Sequence, residues 1–479
     1  MACLLREELR KRALSMVQIP NHFQPVIEEY TEGENGEGGA MFSWTNKEKD
    51  EGIMISLDLA GNLTSLLIDM NDKNSNAIPL NVAERRERAE QFLLSHYPQA
   101  LKDLTLYNTK KLTNGYRFYY EQMVMDLPLD DAGCFIDVDA AGSIVEFTYR
   151  GVKQTPEIPT KLISKEVLIE HVQNRLDFQL RVTNLYTDIH NVAEDGLRLV
   201  YIPEPFMEYQ ADVLQPTLTI VHQEEDLQRY ATVPPPSGTI ERKDLSIEDI
   251  VGISEGMEVI REVDMGEETG IVWRDRDWET KEQDLSMVGF FQRHSGGTVK
   301  AFIAKKTGKV RSFMWFKERS GDLCLSHQAC YQKAIDFLQR VIPDYYQYLQ
   351  LIVRENEEVD GTEMQQSFLF HMCNEHGIPM ELGLVTVVVN RKTGQIDHYS
   401  GPRFDVEQLS QIPAEPAISK KEVREIFINH LDFKLAWSKN YDSETEPYTL
   451  VYQACDRHSR TPIRYIDAMT GAVISDKDK

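Results

Sequence analysis

The chain has 479 residues, of which 41% are hydrophobic and 27% charged, a composition typical of globular rather than disordered or membrane-spanning proteins. Its 77 acidic residues outnumber 52 lysines and arginines, which gives a formal net charge of −25 at pH 7. Such a surface repels phosphate backbones and anionic lipids, so the composition argues against a general nucleic-acid or membrane-surface binder.

The cysteines and the N-terminal sequence predict a compartment. Six cysteines are scattered irregularly, without a CxxC pair or the spacing of zinc ligands, which is typical of a reducing environment. Leu4 and Leu5 are followed at once by charged residues, so the apolar core of a signal peptide is missing. We therefore expect a cytoplasmic protein without metal or cofactor.

Apolar residues at helical spacing predict a series of helices along the chain. In the third of these, Leu168, Val172 and Leu176 lie four residues apart and share one face. The predicted helices fall near residues 5–16, 82–95, 168–176, 247–256, 328–341 and 423–431.

A recurring short turn predicts β-hairpins between the helices. Each turn contains a glycine that can adopt the positive φ of a tight hairpin, and the flanking residues alternate apolar and polar. These glycines are Gly61, Gly142, Gly308, Gly394 and Gly471. The corresponding stretch of the third unit, near Tyr209–Pro216, has lost its glycine.

The chain repeats itself at long range. Residues 163–180 align without gaps on residues 418–435, with 9 identities at 18 positions, where chance gives about one. A tryptophan-bearing strand and a later hairpin recur in the same order. We therefore predict a tandem duplication in which three pairs superpose: Ser164 with Ser419, Gly142 with Gly394 and Trp44 with Trp273.

The two halves differ in one spacing. Trp44 to Gly142 spans 98 residues, whereas Trp273 to Gly394 spans 121. We expect loops to absorb the extra residues, because lengthening a loop costs little free energy.

Each half is predicted to contain about three units, most of them a helix followed by strands and a hairpin. A proline-rich stretch is the predicted linker, since such segments are exposed and poor in periodic apolar residues. The predicted ranges are 1–75, 76–157 and 158–233 for the first half (1–233), 234–240 for the linker, and 241–320, 321–412 and 413–479 for the second half (241–479).

These motifs resemble the YcdB/YcdC repeat family of bacilli, whose units are similar to PepSY domains. The resemblance is carried by Ile418-Ser-Lys-Lys, LDF at Leu431–Phe433, LVYQ at Leu450–Gln453 and YIDAMTGAVI at Tyr465–Ile474. It implies an α+β fold of tandem PepSY-like units, each a helix packed on an antiparallel sheet or hairpin, arranged as two duplicated halves. The association of PepSY domains with protease propeptides further implies restraint of a peptidase supplied in trans.

The candidate metal or hydrolase site is the stretch His371-Met-Cys-Asn-Glu-His376. A zinc helix of the H-x-x-E-H type needs histidines four residues apart on one face, and these are five apart. Gly377 and Pro379 favour a strand end and loop instead. A hydrolase using the His371–His376 region is retained as an alternative, in which His398 would have to approach in space.

Three other polar stretches imitate sites but favour structural interpretations. Residues 72–76 resemble the start of a calcium loop, yet Ala77 stands where that loop needs glycine and Ala83 where it needs glutamate. The glycine-rich residues 33–39 carry glutamates that repel phosphate. The acidic residues 275–284 predict a solvated strand edge or loop, with a cation or basic-partner surface as the alternative.

Trp44 and Trp273 occupy matching places in the two halves. Such tryptophans are usually core residues, and the alternative is an aromatic groove for a peptide or protein. We predict a non-catalytic binding protein that engages a peptide or protein through a sheet edge or a groove between units. A peptidase inhibitor or propeptide-type chaperone is the alternative that the family resemblance implies. Neither nucleic acid nor membrane is an expected partner.

Overall fold

A computed structural model describes residues 2–32, 38–46, 48–70, 79–204, 208–216, 229–235, 245–279, 284–353, 364–441 and 448–477. Within these ranges the chain alternates single helices with antiparallel strands, as the helix and hairpin motifs predict. None of the described helices combines the length and apolar character that crossing a bilayer requires.

Residues up to 151 form one antiparallel sheet, called here the first sheet, with helices packed on one of its faces. Its elements are α1 (Ala2–Met16), β1 (Gln24–Glu32), β2 (Gly38–Asn46), β3 (Glu51–Asp58), β4 (Leu63–Asp69), α2 (Val82–His96), α3 (Ala100–Asp103), β5 (Leu104–Leu112), β6 (Gly115–Val124), β7 (Leu127–Pro128), β8 (Gly133–Asp139) and β9 (Ile144–Gly151). The strands lie in the order β1-β2-β3-β4-β9-β8-β6-β5, and β7 pairs with β6. Leu9 and Ala13 of α1 and Leu93 of α2 share one apolar core with the strands.

A third unit follows, and a short strand comes before the second half. These elements are α4 (Lys165–Gln173), β10 (Asp177–Leu185), β11 (Gly196–Glu204), β12 (Glu208–Gln210) and β13 (Arg229–Thr232).

The second half follows a similar order of elements, with α6 and α8 added. They are α5 (Ile247–Val251), β14 (Met257–Asp264), β15 (Glu268–Asp275), α6 (Met287–Ser295), β16 (Thr298–Ala304), β17 (Val310–Trp315), α7 (His327–Val341), β18 (Leu349–Val353), β19 (Gln365–Cys373), β20 (Pro379–Asn390), β21 (Ile396–Ser400), α8 (Val406–Ser410), α9 (Lys420–His430), β22 (Leu431–Lys439), β23 (Tyr448–Asp456), β24 (Ile463–Asp467) and β25 (Val473–Ser475). Strands β14-β15-β16-β17-β21-β20-β19-β18 are joined in the same order as the first sheet, within a 13-stranded second sheet.

The predicted superposition of the halves is confirmed in register as well as in order. Trp44 on β2 lies opposite Pro25 of β1, and Trp273 on β15 lies opposite Val259 of β14, with a bulge next to each pair. Gly142 and Gly394 both have positive φ, 90° and 70°, in the hairpins β8–β9 and β20–β21. Ser164 and Ser419 both cap a helix, α4 and α9, with the side-chain oxygen.

Three details of the sequence interpretation are corrected. Helices α4 and α9 end at Gln173 and His430, so Leu176 and Leu431 lie just beyond the helices whose faces they were predicted to share. Helix α5 ends at Val251 rather than near residue 256, because Gly252 takes a left-handed conformation with φ of 80° and terminates it. The extra residues of the second half are not a simple loop. They lie largely between β15 and β16 and include α6, which begins at the cap Ser286 and packs against β1 of the first half.

The third units of the two halves exchange their last strands. Strands β10 and β11 continue into β24 and β25, with Tyr201 opposite Ile466. Strand β12 pairs with β23, with Tyr209 opposite Tyr452, and β23 pairs in turn with β22. Leu176 and Leu431 are buried in one shared core. The two sequence halves are therefore interlocked rather than two separate bodies. Of the predicted linker, Pro234 and Pro235 are described, and the rest lies outside the described residues.

Candidate functional site at the sheet edges

Trp44 and Trp273 do not form a partner surface. Trp44 is 8% exposed and Trp273 is 2% exposed, and each belongs to the core of its sheet. Phe42 lies parallel to Trp44 with 6.1 Å between ring centroids. The hypothesis of an aromatic groove at these residues is therefore wrong, because both rings fill space under the helices.

The His371–His376 stretch is a strand end and a turn. His371 lies on β19 with its Nε2 3.0 Å from the carbonyl oxygen of Met380, and burial lowers its pKa. His376 reaches Glu375 at 3.3 Å on the surface. His398 lies on β21, and β20 separates that strand from β19. The approach of His398 that a hydrolase or metal site needs is therefore not observed.

Of the remaining polar candidates, the described residues of the acidic stretch belong to the framework. Among the described residues no three His, Cys, Asp or Glu side chains converge as a metal site. Asp275 ends β15 and pairs with Lys317, and Asp284 accepts hydrogen bonds from Ser286 at the start of α6. The calcium-like residues 72–77 and most of the glycine-rich stretch lie outside the described residues.

The edge strands of the two sheets are better candidates for a binding surface than these side chains. At each of two equivalent positions, one sheet has a covered edge strand and the other has an open one among the described residues. Strand β1 is covered by the connection into α6. The Glu28 N–H donates to the Leu285 carbonyl, the Met287 N–H donates to the Glu29 carboxylate, and Arg293 donates to the Val26 carbonyl. Strand β14, its equivalent, has β15 as its one strand partner among the described residues, and Val259 and Ile260 are 51% and 45% exposed.

At the other end of the two strand arrays, the edge of the second sheet is covered and that of the first sheet is open. In the second sheet, β13 pairs antiparallel with β18, from Arg229 opposite Val353 to Thr232 opposite Gln350. The Tyr230 ring lies 5.7 Å from the ring of His371 on the neighbouring strand β19. An extended segment from outside the strand repeat therefore occupies this edge.

In the first half, the equivalent strand β5 pairs with β6 alone among the described strands. Five successive residues, from Tyr107 to Lys111, are exposed, with Tyr107 at 56%. The Thr109 N–H donates to the side chain of Asn108 at 2.7 Å. Strand β5 thus presents an open edge nine residues long, interrupted by a bulge at Tyr107.

The equivalence of β5 and β18 is fixed by their registers. Leu104 and Leu349 begin the two strands, and both are 3% exposed. Thr105 lies opposite Glu121, whereas Gln350 lies opposite His371. Glu121 and His371 therefore occupy the same place. Burial raises the pKa of Glu121 to about 7, with Asp130 adding to the rise and Arg150 opposing it.

A groove of about 720 Å³ between units is a second candidate surface. It opens between the extended residues 154–160 and the start of β23. Tyr448 is 8% exposed there, and its hydroxyl has no hydrogen-bond partner within the described part of the chain. Polar uncharged side chains, prolines and the acids Glu157 and Asp212 line the groove. Loops rather than a strand edge shape most of this groove.

A third cavity, of about 540 Å³, lies beside a buried ion pair. Arg319 and Asp397, 7% and 6% exposed in their side chains, approach to 3.4 Å. Arg319 also stacks on Trp315, and Asn390 donates to Asp397. Burial lowers the pKa of Arg319 to about 10, although Asp397 opposes that shift. Since Arg319 also donates to the Val251 carbonyl, this pair ties α5 to the sheet.

The sequence predicted a sheet edge as a binding element without saying which strand supplies it. The signal that was available is LTLYNTKKL at residues 104–112, a β-prone segment that ends in two lysines. Its openness depends on which segments lie beside it, and the local sequence does not contain that information.

Two regions of the chain, residues 6–151 and 240–403, match the model of a family described as the YcdB, YcdC repeated domain. The chain belongs to this family. The matched YcdB/YcdC regions coincide with the two equivalent eight-strand arrays, so the repeat comprises a pair of units whose sheets join through β4–β9 or β17–β21. The interlocked third units lie outside both matches.

Relatives in Bacillus subtilis (strain 168) resemble the whole chain. The uncharacterized protein YcdB is 30% identical over 476 residues, 98% of each chain. The uncharacterized protein YcdC is 27% identical over 455 residues, covering 94% of this chain and 96% of its own. The solved C-terminal domain of Bacillus megaterium YpeB is 14% identical and covers 44% of this chain and 93% of its own. Its TM-score of 0.27 is too low to establish a shared fold.

Proposed function

We propose that this protein is a non-catalytic binding protein that engages a peptide or protein partner in extended conformation at the open edge of β5. The supporting observation is that one of two equivalent edge strands is covered by another strand and the other is not. Strand β18 carries β13 along its outer side, whereas β5 has β6 as its one described partner. This position of the fold therefore accommodates an added antiparallel strand.

The physical basis is the row of backbone donors and acceptors on an edge strand. Such a row pairs readily with another extended chain, and main-chain hydrogen bonds then supply affinity that tolerates many sequences. Strand β18 offers five residues to β13, and four of them pair. Strand β5 has nine residues, and residues 108–112 follow its bulge without interruption, so a ladder of similar length can form there.

The open edge of β14 supports strand addition less well. Its equivalent, β1, is covered by a helix and a loop with one backbone hydrogen bond to the strand, from Glu28 to Leu285. The segment that covers the strand equivalent to β14 is therefore a helix with its preceding loop, whereas the segment that covers the strand equivalent to β5 is a strand.

Two further expectations belong to this proposal. The units are PepSY-like, an assignment supported by α2 and α7, each of which packs on antiparallel strands that follow it. The protein acts in the cytoplasm, which the few, irregularly spaced cysteines of the sequence support.

Selection of displayed random ten-residue peptides against the full chain, followed by amide hydrogen exchange, tests the proposal. Enriched peptides are expected to protect amides within residues 105–111. Thr109→Pro removes an N–H that donates to a side chain and should abolish that protection without unfolding the sheet. Absence of enrichment, or protection confined to other strands, would contradict strand addition at β5.

A further inference from the structure

We infer that the β5 edge selects an acidic extended segment, which runs antiparallel to β5 with two successive acidic residues opposite Lys110 and Lys111. This inference rests on the proposed strand addition and adds the chemistry and direction of the partner.

The charge of this edge is opposite to that of the chain. Lys102, Lys110 and Lys111 are exposed, and none of them forms an ion pair with another described residue. The whole chain carries −25. The covered strand β18 reads LQLIV and has no basic residue. The basic character therefore belongs to the open edge and not to its filled equivalent.

The register places the two lysines on different faces of the sheet. Lys110 lies opposite Arg117, and Lys111 lies opposite Tyr116. Side chains alternate between faces along any strand, so a partner strand meets both lysines only with two neighbouring acidic residues. A single acid, or two acids separated by one residue, would place its charge on one face alone.

The direction follows from β13. It runs antiparallel to β18, with Thr232 opposite Gln350. A partner in that direction on β5 passes Lys111 and Lys110 first, and then Asn108 and Tyr107. The acidic pair therefore stands at the N-terminal end of the segment, and the residues that follow it pass Tyr107, which is 56% exposed and is the extra residue of the β5–β6 bulge.

Acetylated and amidated synthetic peptides test this inference by fluorescence anisotropy against the full chain. The acid-first peptide is Glu-Glu-Thr-Thr-Tyr-Val-Thr-Val. In the second peptide both glutamates become glutamine, in the third they become lysine, and in the fourth the Glu-Glu pair is moved to the C-terminal end. The acid-first peptide should bind about tenfold tighter than the glutamine peptide, since two cross-strand charge pairs are lost. This preference should shrink as salt is added.

Protein variants locate the effect. Lys110→Glu/Lys111→Glu should reverse the preference, so that the lysine peptide binds best. The matched control Lys306→Glu/Lys309→Glu changes the net charge equally, in the exposed β16–β17 turn, and should leave the preference intact. An equal effect of both double variants would overturn a local charge contact.

The remaining outcomes separate the two proposals. If the glutamate and glutamine peptides bind equally and Thr109→Pro abolishes both, acid selection is wrong and strand addition stands. If the fourth peptide binds as tightly as the first, the assigned direction is wrong. If Thr109→Pro changes nothing, or no peptide binds at millimolar concentration, both proposals fail together.

Discussion

The first sheet and its equivalent in the second half share a core and differ at their margins. Leu66, Phe147 and Ile136 form one buried row across the first sheet, and Phe313, Tyr399 and Val387 form the matching row in the second: Leu66 with Phe313, Phe147 with Tyr399, Ile136 with Val387. Every member of both rows remains large and apolar. Close packing under the helices constrains these positions, because a change of even one methylene is felt there.

The neighbouring row on the opposite face is under no such constraint. In the first sheet, Arg117 donates two hydrogen bonds to Asp137 and a third to Glu146. The hydrogen bond from Arg117 to Asp137 raises the arginine pKa, and burial raises that of Glu146. The matching row in the second half is Ser367, Val388 and His398, with no such ion-pair network.

The two sheets differ most at their edge strands, because different segments cover them. Helix α6 has no counterpart among the described elements of the first sheet, and β13 lies outside both matched repeats. Helix α6 covers β1, and β13 covers β18, whereas the equivalent strands β14 and β5 have no such cover among the described residues. Duplication thus preserves the packed rows, while added segments decide which backbone stays available to a partner.

The largest expected difference in stability between the two sheets concerns the row of Arg117, Asp137 and Glu146. Arg117→Leu leaves Asp137, whose side chain is 5% exposed, without its guanidinium partner. We expect the free energy of unfolding to fall by about 3–5 kcal/mol, the cost of breaking a buried pair on one side. Urea unfolding at pH 7 measures it.

Two controls accompany this variant. Arg117→Leu/Asp137→Leu should recover much of the loss, because no uncompensated charge remains. Ser367→Leu, at the equivalent exposed position, should change stability by no more than about 0.5 kcal/mol. A loss below about 1 kcal/mol for Arg117→Leu would show that Asp137 is not desolvated.

A smaller difference is expected at the hairpin glycines. Gly142→Ala and Gly394→Ala each force a side chain into the left-handed region, at a cost of about 1–2 kcal/mol. At Gly142 the new methyl would also lie 2.6 Å from Leu80 Cδ1, whereas at Gly394 it would lie 3.3 Å from Leu325 Cδ1. Thermal unfolding should show the larger loss for Gly142→Ala, and the opposite ranking would contradict the tighter packing of Leu80 against that turn.

The smallest expected effect is a pH dependence of opposite sign at the equivalent residues Glu121 and His371. The pKa of Glu121 rises from 4.5 to about 7 on folding, so stability is lost as the pH rises through this window. Glu121→Gln should therefore stabilise the protein at pH 8 and not at pH 4. Burial lowers the pKa of His371 below 6.5, so stability is lost as the pH falls below that value.

His371→Gln should accordingly stabilise the protein at pH 5 and not at pH 8. Both side chains are partly exposed, so each gain stays near or below about 1 kcal/mol. Urea unfolding at pH 4, 5 and 8 measures these two opposite pH dependences. The same sign of pH dependence for both variants would contradict the proposed environments.

Local sequence was sufficient for the predicted turns and for the positions of the predicted helices, and comparison of distant segments revealed the duplication, whereas α6 was not predicted. Ser419 with Glu422 forms the capping box that the spacing indicates, and Gly394 has the positive φ that its turn requires. These features depend on residues within a few positions of one another, so they can be recognised from the sequence of one segment. Leu176 and Leu431 are buried, but they lie beyond the ends of α4 and α9, so helical periodicity does not explain their burial.

What the tertiary structure alone decided is which segments lie side by side. An antiparallel meander has the same alternating pattern whether β11 pairs with β12 or with β24, so the strand exchange of the third units has no local signature. Helix α6 exposes Val288 and Phe291 to 69% and 57%, and its role as a cover depends on backbone contacts with β1. The open edge of β5 likewise depends on which distant segments lie beside it. Such segments pair through backbone groups, which are the same in every sequence, so the local sequence does not reveal the exposure of an edge.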